Sequence, residues 1–224
     1  MDGILLVDKP KGWTSFDAVA KVRGILRVSG EPKPKVGHTG TLDPLATGLL
    51  VLLIGQATKQ ATELTKTDKT YQVTVKLGET STTGDDEGKK TFVSEREPSN
   101  EAVQTVLRSF LGEIEQVPPA YSAIKVNGQR AYKLARQGKD VKIEPRKVKI
   151  YSITNIKLDF PRLEFCAKVS SGTYVRTLAE DIGQKLATGA YLTNLRRTQV
   201  GKFEVKDALD LQQITAEGIY QHLI

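Results

Sequence analysis

The chain has 224 residues, 39% of them hydrophobic and 26% charged, enough apolar material for a sizeable core and too much for a disordered chain. Its 33 basic and 26 acidic residues leave a formal charge of +7, which points toward a polyanion partner. One cysteine, Cys166, and two distant histidines, His38 and His222, exclude an intrachain disulfide framework and leave little for zinc.

The N-terminus, MDGILLVDKPKG, is acidic at residue 2 and has a five-residue apolar core, so it does not read as a secretory signal. No apolar run is long enough to cross a bilayer as a helix, and the cytoplasm is the expected compartment. Ile4 to Val7 reads as a short buried strand stopped by DKPKG. Thr14 or Ser15 then caps a helix with Phe16, Val19, Ala20, Arg23 and Leu26 on one side, ending near Gly30. The following GEPKPK is a solvated loop leading into GHTGTLDPLATGLLVLL (37–53).

That stretch organises the chain. A loop dense in Gly, Thr and Pro holds one carboxylate, Asp43, and runs into six apolar residues, Leu49 to Ile54. Pro44 pushes Asp43 away from the α region, and glycines 37, 40, 48 and 55 bracket it with permissive backbone. Composition leaves two readings open, a turn whose Asp caps its own backbone and an active-site loop.

Further on, Thr58 is placed to cap a short helix over ATKQATELTK. TYQVTVKLG alternates, with Tyr71, Val73, Val75 and Leu77 on one face of a half-buried strand. ETSTTGDDEGKK reads as a polar loop, and Pro98-Ser99 opens a helix with Val103, Val106, Leu107, Phe110 and Leu111 in register, ended by Gly112. Residues 121–150 carry nine lysines and arginines against Asp140 and Glu144, with Tyr121 and Tyr132 among them. They read as a protruding basic lobe with a helix around Arg130–Gln137. Strands return in VKIYSITNIKLDF and LEFCAKVSSG, the latter alternating Leu163, Phe165, Ala167 and Val169. Thr173 or Ser171 starts a helix burying Val175, Leu178, Ile182 and Leu186, and two short strands, Ala190–Thr198 and Lys202–Val205, precede a terminal helix from Asp210. Irregular alternation with short strand-to-strand connections predicts an α+β fold on a mixed, mainly antiparallel central sheet flanked by helices.

Metal chemistry finds no clustered ligands; the spacing of Asp85, Asp86 and Glu87 fits no calcium loop and reads as a solvated acidic turn. No phosphate loop or dinucleotide fingerprint is present, and serine or cysteine nucleophile schemes have His38 alone as an internal base. Asp43 and Arg176 remain. An arginine near a helix's positive end is not there for the dipole, so either a carboxylate or phosphate partner explains it or it is a surface residue. By pattern, Tyr71 and Tyr174 can be core aromatics and Leu195 a core leucine.

Six stretches nevertheless resemble, in order, the bacterial tRNA pseudouridine synthase B family: GILLVDKPKGWTSFDAV (3–19), GHTGTLDPLATGLL (37–50), DKTYQVTVKLG (68–78), VPPAYSAIKVNGQRAYKLARQG (117–138), SSGTYVRTLAEDIG (170–183) and YLTNLRR (191–197). The resemblance implies the pseudouridine synthase fold with an inserted basic thumb, and isomerisation of the T-loop uridine 55 of tRNA without cofactor or metal. It makes Asp43 the catalytic aspartate, attacking C1′ of the flipped uridine or, in a less favoured scheme, C6. It has Tyr71 stack on the base, Arg176 pair with Asp43, and Tyr174 and Leu195 line the pocket. His38 helps displace the target from its stack, and Asp85 lies near the base. Lys9 and Pro10 pack beside the catalytic loop, which Gly40 and Pro44 shape. Lys125, Arg130, Lys133, Arg136, Lys139 and Lys142 in the thumb grip RNA. A carboxylate paired with guanidinium keeps a low pKa, which suits a nucleophile.

The implied protein is a cytoplasmic monomer with no guide RNA and no membrane partner. The chain ends soon after the catalytic core, where many relatives carry a C-terminal RNA-binding module. SGEPKPK (29–35) lengthens the approach to the loop, and Thr82 replaces an acidic residue of several relatives. A tRNA-binding protein with an idle site and a synthase for another structured RNA are the competing readings.

Overall fold

The strands are β1 (Gly3–Lys9), β2 (Val36–His38), β3 (Thr47–Ile54), β4 (Lys69–Leu77), β5 (Glu79–Ser81), β6 (Lys90–Phe92), β7 (Gly112–Gln116), β8 (Lys125–Val126), β9 (Gln129–Arg130), β10 (Arg146–Asp159), β11 (Arg162–Val169), β12 (Ala190–Val200), β13 (Phe203–Glu204) and β14 (Leu209–Asp210). The helices are α1 (Ser15–Val28), α2 (Ala61–Thr65), α3 (Asn100–Arg108), α4 (Ala131–Arg136), α5 (Val175–Lys185) and α6 (Ala216–Gln221). The computed structural model describes residues 1–31, 33–122, 124–126, 128–138 and 141–224, without the side chain of Arg136. Two compact units emerge: Met1–Gln72 with Leu195–Ile224, and Val73–Asn194. β4 and β12 each run through both.

The first unit is built on β3. All but one of its eight residues are buried, so both faces of the strand are covered and the sequence loses alternation. β1 pairs with it antiparallel from Gly3↔Ile54 to Lys9↔Gly48. The opposite edge is shared: β2 pairs antiparallel at Leu52–Ile54, and β12 runs parallel at Thr47 and Gly48. Leu6, Leu49, Val51 and Leu53 share one core with Ala57, Val200 and Phe203. β14 extends the sheet beyond β1 in parallel, and Ile4 exchanges backbone hydrogen bonds with Ile224.

In the second unit the strand order continues β4-β11-β10-β7. β10 pairs antiparallel with β7 and β11, and β11 buries Leu163, Phe165, Ala167 and Val169 as its alternation predicts. β4 likewise buries Tyr71, Val73, Val75 and Leu77 along its length. α3 is capped by Ser99 and buries Val103 and Leu107.

Several local expectations need correction. Thr14 is the cap of α1, in a reciprocal capping box with Asp17, and the buried face is Ser15, Ala18, Val19, Val22 and Leu26. That turns Phe16 outward, 65% exposed, and exposes Ala20 as well. Thr58 caps nothing; it sits inside a 3-10 turn, Gly55–Gln60, where its hydroxyl donates to Gly55 O at 2.6 Å. α5 starts one residue later than a Thr173 cap would require, with Tyr174 as the flanking residue. Asp210 ends a short strand, and the terminal helix is capped by Thr215. Residues 79–92 contain the β5–β6 hairpin. Residues 146–150, counted by charge with the basic lobe, belong to β10 and pair with β7 from Arg146↔Gln116 to Ile150↔Gly112.

Candidate active site

The Asp43 loop spans residues between β2 and β3 and is tied down at almost every position. The Leu42 N–H donates to Ser15 Oγ at 2.7 Å, and that hydroxyl donates back to Leu42 O at 3.1 Å. Gly12 N donates to Pro44 O at 2.8 Å, Thr39 N to Val51 O at 3.1 Å, and Ala46 N to Asp43 O at 3.0 Å. Gly40 N donates to His38 Nδ1 at 3.3 Å. Leu42, Leu45 and Ala46 are buried and anchor the loop, leaving Asp43 half-buried between them.

Two buried cations underlie the loop. Arg197 on β12 donates from Nε to Leu49 O at 2.8 Å and from Nη2 to Gly40 O at 3.2 Å. Its backbone runs so close to β3 that a Cβ on Gly48, which has φ +100°, would lie 2.3 Å from Arg197 O. Lys9 is fully buried, and its Nζ donates to Pro10 O at 2.9 Å and Trp13 O at 2.6 Å. Burial lowers the Lys9 pKa to about 8; the nearby Asp43 carboxylate opposes that shift, Arg197 adds to it, and Asp17 opposes it more weakly. Lys9 thus lies beside the loop that carries His38, Gly40, Asp43 and Pro44. Tyr71 and Leu195 occupy buried positions on β4 and β12 of the same unit.

Arg176, Asp85 and Tyr174 fall in the second unit. The Arg176 side chain is 6% exposed; its Nη1 lies 3.5 Å from Asp85 Oδ2 and donates to Thr83 O at 3.2 Å, and Nη2 donates to Tyr121 O at 2.8 Å. Asp85 is not a solvated turn residue. It is 5% exposed, its Oδ1 accepts from the Thr83 hydroxyl and the Glu87 N–H, and it bridges to Leu192. These donors meet the hydrogen-bonding demand of a carboxylate taken out of water. Glu180, one turn along α5 from Arg176, has its pKa raised by burial and by the negative charge of Asp181, against the pull of Arg176.

Tyr174 is held through its backbone. Gln116, at the end of β7, donates from Nε2 to Tyr174 O at 3.0 Å and accepts from Tyr174 N at 2.7 Å. This amide clamps the backbone of Tyr174, the residue that precedes α5, and neither Thr173 nor Ser171 takes the expected capping place. Among the expected thumb contacts, Lys125, Arg130, Lys133 and Lys142 are exposed around β8, β9 and α4. Lys139 and the side chain of Arg136 lie outside the described residues.

Sequence reasoning missed Arg197 and Ser15 as supports of the Asp43 loop, and Gln116 as the support of Tyr174. For Arg197 a signal existed: strand alternation from Leu195 puts it on the buried side. Ser15 and Gln116 offered none, because their partners are 27 and 58 residues away. Among the described residues no group of three or more His, Cys, Asp and Glu is placed to hold a metal ion, and no helix is long and apolar enough to cross a membrane.

A braced carboxylate loop on an α+β fold with a largely antiparallel sheet is the architecture of a pseudouridine synthase. Residues 23–175 match the TruB family pseudouridylate synthase N-terminal domain, and residues 176–222 match the tRNA pseudouridylate synthase B C-terminal domain. The chain is 48% identical over 220 residues to tRNA pseudouridine synthase B of Cupriavidus metallidurans, covering 96% of this chain and 68% of the relative. It is 44% identical over 224 residues to the Clostridium novyi enzyme of that name, covering 100% and 76%. Among solved structures, the crystal structure of a Cbf5-Nop10-Gar1 complex superposes with a TM-score of 0.72 at 29% identity, over 94% of this chain and 52% of that one. An H/ACA RNP bound to a substrate RNA containing 2′-deoxyuridine gives 0.69 at 27%, over 94% and 51%. The chain belongs to the TruB family of pseudouridylate synthases.

Proposed function

We propose that the protein isomerises uridine 55 in the T loop of tRNA to pseudouridine, with Asp43 as nucleophile on the flipped uridine. The observation that carries the reading is the Asp43 loop, a carboxylate held by backbone bonds on both sides and underlain by buried Lys9 and Arg197. In the favoured scheme the carboxylate attacks C1′ and the C1′–N1 bond breaks. The base turns, C5 bonds to C1′ and displaces the carboxylate, N1 gains a proton and C5 loses one. Atoms balance, and no cofactor is needed.

The roles proposed for the other residues rest on the family resemblance: Tyr71 stacks on the base, Tyr174 and Leu195 line its pocket, His38 helps displace it, Arg176 pairs with Asp43, and Asp85 lies near the base. Unstacking the target costs roughly a few kcal/mol, which aromatic stacking and a fitted cavity offset. Residues 1–224 act as the catalytic domain, and the basic insertion from residue 121, without residues 146–150 of β10, contacts the RNA backbone. The proposed enzyme works in the cytoplasm as a monomer, without guide RNA.

Asp43→Asn tests the reading because it removes the nucleophile and keeps the side chain's size. The wild-type protein, with no added metal or nucleotide, should convert one T-loop uridine of a transcript tRNA, read by nucleoside digestion and chromatography. D43N should lose the product almost completely while binding tRNA with comparable affinity in a filter titration, since phosphate contacts dominate that affinity. Retained conversion in D43N removes Asp43 from its role. A wild type that binds tightly without converting favours the idle-site reading.

A further inference from the structure

One cluster in the second unit lies outside the catalytic assignments. Lys149 and Tyr151 on β10 and Lys168 on β11 are all exposed, the tyrosine by 42%. Both ammonium groups lie over the same ring, Lys149 Nζ 5.3 Å and Lys168 Nζ 6.0 Å from its centroid. A β-bulge makes this possible. Ile150 pairs with Val169 and Ser152 with Lys168, so Tyr151 is the extra residue, and it and Ser152 together oppose Lys168. Bulges re-aim side chains in this way.

Two of the carboxylates nearby are paired with other cations. Glu113 stands across from Lys149 in register, but its Oε1 lies 2.8 Å from Lys147 Nζ. Glu115 is the cross-strand neighbour of Lys147, and Glu164 is bound to Arg162. Among the described residues, neither Lys149 nor Lys168 has a carboxylate within ion-pair distance. Two like charges drawn to one exposed ring repel each other, and the ring quadrupole offsets only part of that. An anion completes the arrangement.

We infer that Lys149, Tyr151 and Lys168 form a phosphate-binding contact for the RNA backbone, separate from the expected thumb residues, in which the ring holds the two ammonium groups in place. The inference rests on the reading that tRNA is the substrate. The surface supplies charge without a base-reading side chain, so it positions RNA and does not select sequence.

The test is the salt dependence of tRNA transcript binding by filter titration, for wild type, K149Q/K168Q, Y151L and Y151F. If each lysine neutralises one phosphate, the double variant's slope of log K against log salt should be shallower by about 1.4–1.8. Y151L should lose part of that slope, and Y151F, which keeps the ring, should retain it. At saturating tRNA the double variant should turn over at the wild-type rate with a raised KM. A slope and KM equal to wild type in K149Q/K168Q, with an unchanged urea midpoint, overturns the contact. Conversion is assayed separately: a wild type that makes no pseudouridine while the double variant loses slope keeps the contact and sinks the catalytic reading alone.

Discussion

Lys9 shows how one buried side chain joins the loop's structure to its chemistry. Its ammonium holds the Pro10 and Trp13 carbonyls, and the Asp43 carboxylate supports its charge against burial. D43N removes that support, so the Lys9 pKa should fall below its wild-type value of about 8. An NMR titration of the lysine side chain measures this, and an unmoved pKa would break the electrostatic link. Gly48 is the second sensitive position. A methyl group there meets Arg197 O, and φ +100° disfavours any L side chain. Gly48→Ala should cost at least about 1–3 kcal/mol from backbone strain alone, with the steric clash in addition, read as a drop in urea midpoint.

At the scale of elements, two helix starts show different kinds of support. α1 is capped locally: Thr14 Oγ1 accepts from Asp17 N, and Asp17 Oδ2 accepts from Thr14 N. Thr14→Ala should cost about 1 kcal/mol. The residue before α5 is clamped by a distant amide: Gln116→Ala removes the partner of Tyr174 N, at about 1–3 kcal/mol, while Tyr174 O keeps its bond from Leu178 N. A larger urea-midpoint loss for Q116A than for T14A is expected; the reverse order would refute the weight given to this nonlocal clamp. These cases also mark what the sequence could disclose. The alternation of β4 and β11 was legible because each strand has one buried face. The register of α1 was not, because Ser15, polar by type, is buried through its bond to Leu42, and Phe16 takes the exposed place. Asp85 misled for a related reason: its composition says solvent, while its partners, the donors Thr83 and Glu87 and the ion-paired Arg176, include one 91 positions away. The Asp43 loop stood out because its glycines and prolines are local signals, whereas Arg197 and Gln116 act across long separations.

Over the whole molecule, two buried lysines set a pH dependence. Lys69 donates to Thr65 O and Thr67 O, and burial lowers its pKa to about 8, as for Lys9. For both, the unfolded value is 10.5, so between about pH 8 and 10.5 the unfolded chain binds more protons than the native one. Stability contributed by these groups therefore rises with pH across that window and is flat below it. Lys69→Met should reduce the rise relative to wild type in urea unfolding at pH 7.5, 9 and 10; an identical pH profile would show that Lys69 titrates normally.

The first unit is discontinuous in sequence, and this has a consequence for synthesis. Residues 1–72 leave the ribosome first, yet Arg197, which fixes Gly40 and Leu49, follows 125 residues behind Gln72. At about 5–20 residues per second that is a delay of roughly 6–25 s. Throughout it, the loop bearing Asp43 lacks the guanidinium beneath it, and β1 lacks its β14 neighbour. Nascent chains arrested before Leu195 should then leave residues 37–48 open to protease, and chains extended past β14 should shield them. The Asp43 loop should thus be among the last parts of the protein to set.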